Sequence, residues 1–446
     1  MTEAKAAKQS SVVTIFSLWN TMMGVSLLSM PWALYQAGFI LGLVILLTMA
    51  ALCFYTAYLV VRSPHTLEKM DTEQMEFADI CHHYLGRAGS LTAFVFSLLI
   101  LVGAVLAYWV LMSNFVYFSG VLLYEAVHPQ NQTKTTEEGG ICGIYCHVDN
   151  TFSSHSDEDD PTLIFGLKFD EIWKLQLTVP IYLAIVVFPL LNFKSPTFFT
   201  KFNMLGTISV VYLLCFNASR VAECGINMDF TNKTSTHFVH SASWNFPALT
   251  GMLTMSYFIH NCLLTMLRNQ RNPENNVRDL CIGFALVAFS YIFVAATIYS
   301  AFPLRRSCIG DNLLNNFRAN YPMSAVARVL IFFQLLTILP LILYFIRSQI
   351  SCAIYNKPWP GLVRVVALNL IIVVAGVLTA IFFPDIGSII RYFGAFSGMM
   401  YTYALPCLVY MRSSYLANEL TLPKIIVHSL IIVFGVANLI AQFFIR

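Results

Sequence analysis

The sequence predicts an all-α membrane protein with eleven transmembrane helices. They form two five-helix halves of opposite orientation plus one further helix, with helices 1 and 6 broken. Three observations carry this. Of 446 residues, 57% are hydrophobic and only 11% charged, whereas a soluble domain carries about 25% charged residues. The apolar residues also come in unbroken blocks, and roughly 20 such residues cross the hydrocarbon core at 1.5 Å per residue. Finally, two blocks five helices apart carry Gly, Pro and hydroxyl residues at matching places, the pattern of paired interrupted helices. Lipid offers the backbone no hydrogen bonds, so each block is read as a helix. The ~10-residue alternating strands of a membrane barrel do not appear in the sequence.

The blocks lie near 13–35, 38–61, 91–123, 175–193, 202–222, 246–267, 280–303, 323–346, 361–383, 387–411 and 423–445. The first is too long for a cleavable signal, carries Pro31 and Trp32 near its end, and runs almost directly into the second. It is therefore expected to stay in the mature chain. The organisation follows: residues 1–11 form a short cytosolic tail, 12–413 a ten-helix core, and 414–446 the eleventh helix. Within the core, 124–174 is the one long loop.

Orientation comes from the loops. Segments 62–90, 194–201, 268–279, 347–361 and 412–422 fall on one side and carry residues such as Lys194, Lys201, Arg268, Arg271 and Arg278. On the other side, segment 124–173 has only two basic residues, Lys134 and Lys168. The positive-inside rule then puts the N-terminus in the cytosol and the C-terminus in the lumen. The glycosylation sequons at Asn131 and Asn232 fall on the luminal side. A third, at Asn217, lies within span 5 and is not expected to be used. Four cysteines are luminal, Cys142, Cys146, Cys224 and Cys308, and four cysteines allow three pairings.

Span 1 places Asn20, Thr21, Gly24, Ser26, Ser29 and Pro31 close together, and span 6 places Pro247, Thr250, Gly251, Thr254, Ser256, His260 and Asn261. Small residues also serve close helix packing, but the match between halves favours a midplane site. An unwound turn frees N–H groups, and the adjoining half-helix N-terminus adds positive potential, so a carboxylate is held without a basic side chain. Freed carbonyls with a hydroxyl hold a small cation, for which Thr337 in span 8 is a sensible donor. No Asp or Glu lies within the drawn spans. This argues against a carboxylate proton relay and in favour of sodium as the coupling ion. His260 suits a structural or a functional role. Arg328 and Arg391, near luminal helix ends, are expected to snorkel to the interface. Nucleotide-binding loops, HExxH and GxSxG are absent from the sequence, so no enzyme is expected.

WNTMMG at 19–24, YWVLMSNF at 108–115, PLLNFKSP at 189–196, FIHNC at 258–262, ENNVRDL at 274–280 and GVANLI at 435–440 are spread along the chain, within a likeness that covers nearly all of residues 11–446. On these stretches the chain resembles the sodium-coupled neutral amino acid transporters, in the amino acid/auxin permease branch of the amino acid–polyamine–organocation superfamily. Within them it is most similar to the lysosomal arginine-responsive branch. The resemblance implies a LeuT-like inverted repeat whose first break holds an amino acid through Thr21, Met22 and Ser26, flanked by Gly24 and Val25. Thr250 and Gly251 stand at the corresponding place in span 6. It further implies Na+ near Asn20, Met23 and Thr337, a Cys142–Cys308 disulfide, and Cys146 and Cys224 as a second pair. Location in the lysosomal or late endosomal membrane follows, with the plasma membrane as the alternative.

Two departures matter. Those relatives carry threonine where this chain has Val25, removing one possible hydrogen bond inside the binding turn. They also dock a nutrient-signalling GTPase complex through a long cytosolic tail, whereas Met1 to Ser10 precede the first span here. If Met1 is the true start, the short tail puts tail-mediated signalling in doubt, and the GTPase complex stands as a doubtful partner. The functional expectation is a sodium-coupled carrier of neutral amino acids, possible regulation by arginine included, in contact with membrane lipid. The alternative is a receptor-like amino acid sensor, signalling to a nutrient-sensing kinase pathway with little flux.

Overall fold

The structure, a computed structural model, describes residues 9–63, 75–128, 142–146, 169–194, 204–268 and 270–445. Asn131 lies outside these residues. The helices are α1 (Ser11–Met22), α2 (Ser26–Ala37), α3 (Phe39–Arg62), α4 (Phe77–Val127), α5 (Phe169–Ile172), α6 (Thr178–Leu191), α7 (Met204–Cys224) and α8 (Pro247–Ser256). They continue with α9 (Leu263–Arg268), α10 (Asn276–Ala301), α11 (Pro322–Tyr355), α12 (Leu362–Phe382), α13 (Ile386–Gly398), α14 (Leu405–Leu416) and α15 (Leu422–Ala441). A π-helical turn, Met399–Ala404, joins α13 to α14.

Among the described residues, six helices are long and apolar enough to cross a membrane, and a seventh span forms if α1 and α2 are counted as one. Of the other apolar blocks, that at 202–222 forms one continuous 21-residue helix, α7, and others are short or interrupted. α6 has only 14 residues, and the block around 246–267 is split between α8 and α9. Helix α4 runs well beyond the expected 91–123 on both sides, with non-helical backbone at Gly86 (φ 70°) where its first turns meet the rest.

The chain forms two compact units. The first comprises Met1–Gly103, Ser241–Phe293 and Ser388–Arg446; the second, Ala104–His240 and Val294–Gly387. In the first, α2 packs on α8 and α3, and α15 packs on α14, α8 and the π-turn. Glycines permit the close approach of α8 to α13: a methyl on Gly394 would lie 2.3 Å from the Gly251 carbonyl, and one on Gly398 would lie 2.0 Å from Thr254. This is the small-residue contact of membrane helices.

In the second unit α11 packs on α7, α6 and α12. Its polar interior corrects one expectation. Arg328 does not snorkel: it is 1% exposed and donates to the carbonyls of Leu314 (2.7 Å), Phe317 (2.7 Å) and Arg318 (3.2 Å). Its guanidinium also sits 4.3 Å over the Phe118 ring. Arg347 does the same for another loop, donating to the carbonyls of Leu191, Phe193 and Lys194. In the first unit Arg391 is also buried and approaches the Gln442 carbonyl at 3.5 Å.

The disulfide is likewise corrected. Cys308 is bonded to Cys146, not to Cys142. Cys142 instead points its sulfur at the Glu223 carbonyl, 3.8 Å away, and neighbours Cys224. The expected leftover pair of Cys146 and Cys224 falls with it.

Asp311 lies in the loop between α10 and α11, where its Oδ2 accepts from the N–H groups of Ile386 (2.7 Å) and Gly387 (3.3 Å) at the start of α13. Burial, and secondly the adjoining Asp385 carboxyl, push its pKa up to about 6. The folded state thus favours the protonated form. Its contribution to stability is complete below the ordinary value near 3.8 and is lost as pH rises through about 6. Purified protein is expected to unfold at a higher temperature at pH 5 than at pH 7. The component from Asp311 is worth about 1 kcal/mol for a partly exposed group. Melting curves of Asp311→Asn should show a weaker pH dependence than wild type; an unchanged dependence would refute the assignment.

Candidate functional site

The first unit contains a bend of 60° between α1 and α2. Met23, Gly24 and Val25 connect the two helices: Met23 leaves helical backbone (φ −76°, ψ 79°), and Val25 has already returned to it (φ −58°, ψ −26°). Their hydrogen bonds are local: Met23 N–H to the Trp19 carbonyl (2.9 Å), Gly24 N–H to Met22 (2.9 Å), Leu27 N–H to Gly24 (3.3 Å) and Leu28 N–H to Val25 (3.2 Å). Among the described residues, no backbone acceptor serves the N–H groups of Val25 or Ser26 at the start of α2. Unserved N–H groups and the dipole of a 12-residue helix make this terminus suited to a carboxylate. The segment is enclosed: Met22, Met23, Val25 and Ser26 are each under 7% exposed. Thr21 faces outward and returns its hydroxyl to the Ser17 carbonyl. Asn20 is buried on the opposite side of the same turn.

The second break lies between α8 and α9, over residues 257–262. It stands several residues beyond Thr250 and Gly251. Both residues are packed against neighbouring side chains and backbone. Thr250 donates to Asn438 Oδ1 at 2.6 Å, and a methyl on Gly251 would lie 2.8 Å from Gln442 Nε2 and 2.9 Å from the Arg391 carbonyl. Pro247 occupies the first turn of α8, where its missing N–H costs nothing. His260 is fully buried in the unwound stretch, with Nε2 3.0 Å from Thr56 Oγ1 on α3. Because the Thr56 hydroxyl is directed at the Cys53 carbonyl (3.1 Å), the imidazole Nε2–H is the donor. His260 thereby ties the second break to α3.

Helix α10 brings the two breaks together. Trp19 Nε1 donates to Ser290 Oγ at 3.1 Å. The Tyr291 hydroxyl lies 2.7 Å from the Met22 carbonyl, 3.1 Å from the Ser256 carbonyl and 3.4 Å from Ser26 Oγ. Met22 and Ser256 are the last residues of α1 and α8, so one phenol faces the carbonyl ends of both interrupted helices. Sequence reasoning missed Tyr291, because a tyrosine in an apolar block reads as core. Thr337 belongs to the second unit, where it donates to the Gln334 carbonyl at 2.8 Å. Among the described residues no cluster of three His, Cys, Asp or Glu could hold a metal.

The sequon at Asn232 is exposed, with its Oδ1 accepting from Thr234 N (3.0 Å) and Oγ1 (2.7 Å). Asn217 is fully buried within α7.

A family model described as transmembrane amino acid transporter protein matches residues 7–130 and 160–445. A Caenorhabditis elegans protein named sodium-coupled neutral amino acid transporter 9 homolog is 51% identical over 98% of this chain and 74% of its own length. The Rattus norvegicus neutral amino acid transporter 9 is 42% identical over 98% of this chain and 79% of its own. Among solved structures, MhsT in complex with L-phenylalanine superposes with a TM-score of 0.58 over 99% of both chains at 11% identity, which shows a shared fold.

Proposed function

The chain belongs to the transmembrane amino acid transporter family, and on that premise we propose that it is a secondary active carrier of neutral amino acids coupled to sodium. The names of its relatives supply the substrate class and the ion. One observation of the structure carries the reading: the buried, bent segment 23–25, with unserved N–H groups at the start of α2. In this proposal the substrate carboxylate lies on the N–H groups of Val25 and Ser26, beside Met22 and Gly24. Non-helical backbone at such depth is tolerated only where it lines a protein-enclosed cavity.

Asn20 and Met23 keep the proposed role at sodium, since the buried amide oxygen and backbone carbonyls are hard ligands. Eleven spans, a cytosolic N-terminus, a luminal C-terminus and an endomembrane location, lysosomal or late endosomal, belong to the same proposal. Regulation by arginine is part of it through the likeness to the arginine-responsive branch.

Uptake by proteoliposomes of the full chain tests the coupling. Exchanging external sodium for potassium is expected to lower uptake of a neutral amino acid about 10-fold or more. Asn20→Ala should raise the sodium concentration needed for half-maximal uptake. Uptake indifferent to sodium would remove the ion from the account.

A further inference from the structure

The segment 142–146 of the second unit is held at both of its ends. At one, Cys146 is bonded to Cys308. Beside it, the Tyr145 N–H donates to the Asn316 carbonyl at 2.9 Å, and Asn316 Nδ2 returns a hydrogen bond to the Tyr145 carbonyl at 2.8 Å. At the other end, Cys142 lies against the last turn of α7. Its carbonyl accepts from Arg220 at 3.3 Å, its sulfur faces the Glu223 carbonyl at 3.8 Å, and its thiol is hydrogen-bonded with that of Cys224. Arg220 is fully buried and pairs with Glu223, so this turn is a fixed wall against which Cys142 is set.

The backbone reaches that place under strain. Cys142 has φ 56°, in the left-handed region that a residue with a Cβ seldom occupies. Such strain persists where the surroundings over-determine it, and it points to a role for the residue so held. Here it sets one thiol against another. The neighbouring Cys146–Cys308 bridge marks this face as one that meets an oxidising compartment. Both thiols are half-buried rather than sealed in the core, so a small oxidant can reach them.

We propose that Cys142 and Cys224 are a redox-active pair that closes into a second disulfide, fastening segment 142–146 to the end of α7. The structure holds the dithiol form of this pair. Closure is thiol–disulfide exchange with a small-molecule disulfide such as oxidised glutathione. The Cys142 thiolate attacks one sulfur of the oxidant and expels the other as a thiol. Cys224 then attacks the Cys142 sulfur of the mixed disulfide, and the second carrier thiol leaves. Two electrons pass to the oxidant, and the proton of each cysteine ends on a carrier thiol. Burial, and secondly the hydrogen bond with Cys142, push the Cys224 thiol up to about 12. Cys224 therefore stays protonated at neutral pH, and the first attack falls to Cys142.

Peptide mapping of the purified chain tests this. The protein is incubated with oxidised glutathione, denatured without reductant, alkylated and digested with chymotrypsin. That protease cuts after aromatic residues, and Tyr145 separates Cys142 from Cys146. A peptide containing Cys142 is expected in disulfide linkage with one containing Cys224, apart from the Cys146–Cys308 pair. In Cys142→Ser, Cys224 should pass from almost wholly protected to almost wholly alkylated, with Cys146 and Cys308 still joined. The wild-type map stands whether or not the variant folds. Alkylation of both Cys142 and Cys224 in wild type would overturn the proposal. So would linkage of either to a different cysteine, or a Cys224 that stays protected in Cys142→Ser.

Discussion

Replacing Ser26 with leucine is expected to reduce amino acid uptake at least 100-fold while the protein still reaches the membrane and elutes as a single folded species. Ser26 is 5% exposed, and its hydroxyl is 3.4 Å from that of Tyr291. A branched side chain there must push into the buried surroundings of the bend. Overpacking costs about 1–3 kcal/mol, too little to unfold a large helical protein. The same displacement applied to a bound ligand costs two orders of magnitude or more in rate, because reacting or binding groups tolerate little misplacement. Ser26→Ala removes only the hydroxyl and should lower uptake less. If Ser26 merely allowed helices to approach, leucine would impair folding and transport together. Near-normal flux per folded molecule in Ser26→Leu would remove the bend from the substrate path.

Arg328→Met is expected to destabilise the second unit by roughly 3–5 kcal/mol, the scale for removing one partner of a buried charged contact. The substitution keeps the aliphatic stem and deletes the donors to three carbonyls. Those carbonyls belong to Leu314, Phe317 and Arg318. Lysine should rescue only in part, since a single ammonium cannot meet the geometry of the guanidinium. The thermal midpoint of detergent-purified protein checks this. A side chain that snorkelled to the interface would give a change within about 0.5 kcal/mol, and such a result would contradict the buried clamp.

The first break was legible because its cause is local. Asn20, Gly24 and Ser26 interrupt an apolar block, and the helix bends between Met22 and Ser26. The second was legible as a feature of the block, whose polar residues run from Pro247 to Asn261, but the sequence did not show that only the last of these, His260 and Asn261, fall in the break. Gly251 and Thr250 drew attention as weak points, yet α8 stays helical through both because α13 and α15 pack against them. Helix breaks fall where tertiary contacts leave the backbone unsupported, and that information is not in the composition of one segment. Tyr291 lay beyond sequence reasoning for the same reason: its meaning is a distance to Met22 and Ser256, hundreds and tens of residues away. Arginines in apolar blocks are ambiguous by nature, since snorkelling and carbonyl clamping suit the same sequence. The spacing of Cys142 and Cys146 could not choose a partner for Cys308, because both reach the same loop side and only the path of the chain decides.

Accumulation against a gradient is the direct test of whether the bent segment is a transport site. The purified chain in liposomes would be given labelled neutral amino acids under an inward sodium gradient. Accumulation above the external concentration is expected, collapsing when the gradient is dissipated and absent in Ser26→Leu. Saturable binding to wild type without any accumulation would contradict it, and would assign the site to sensing rather than transport.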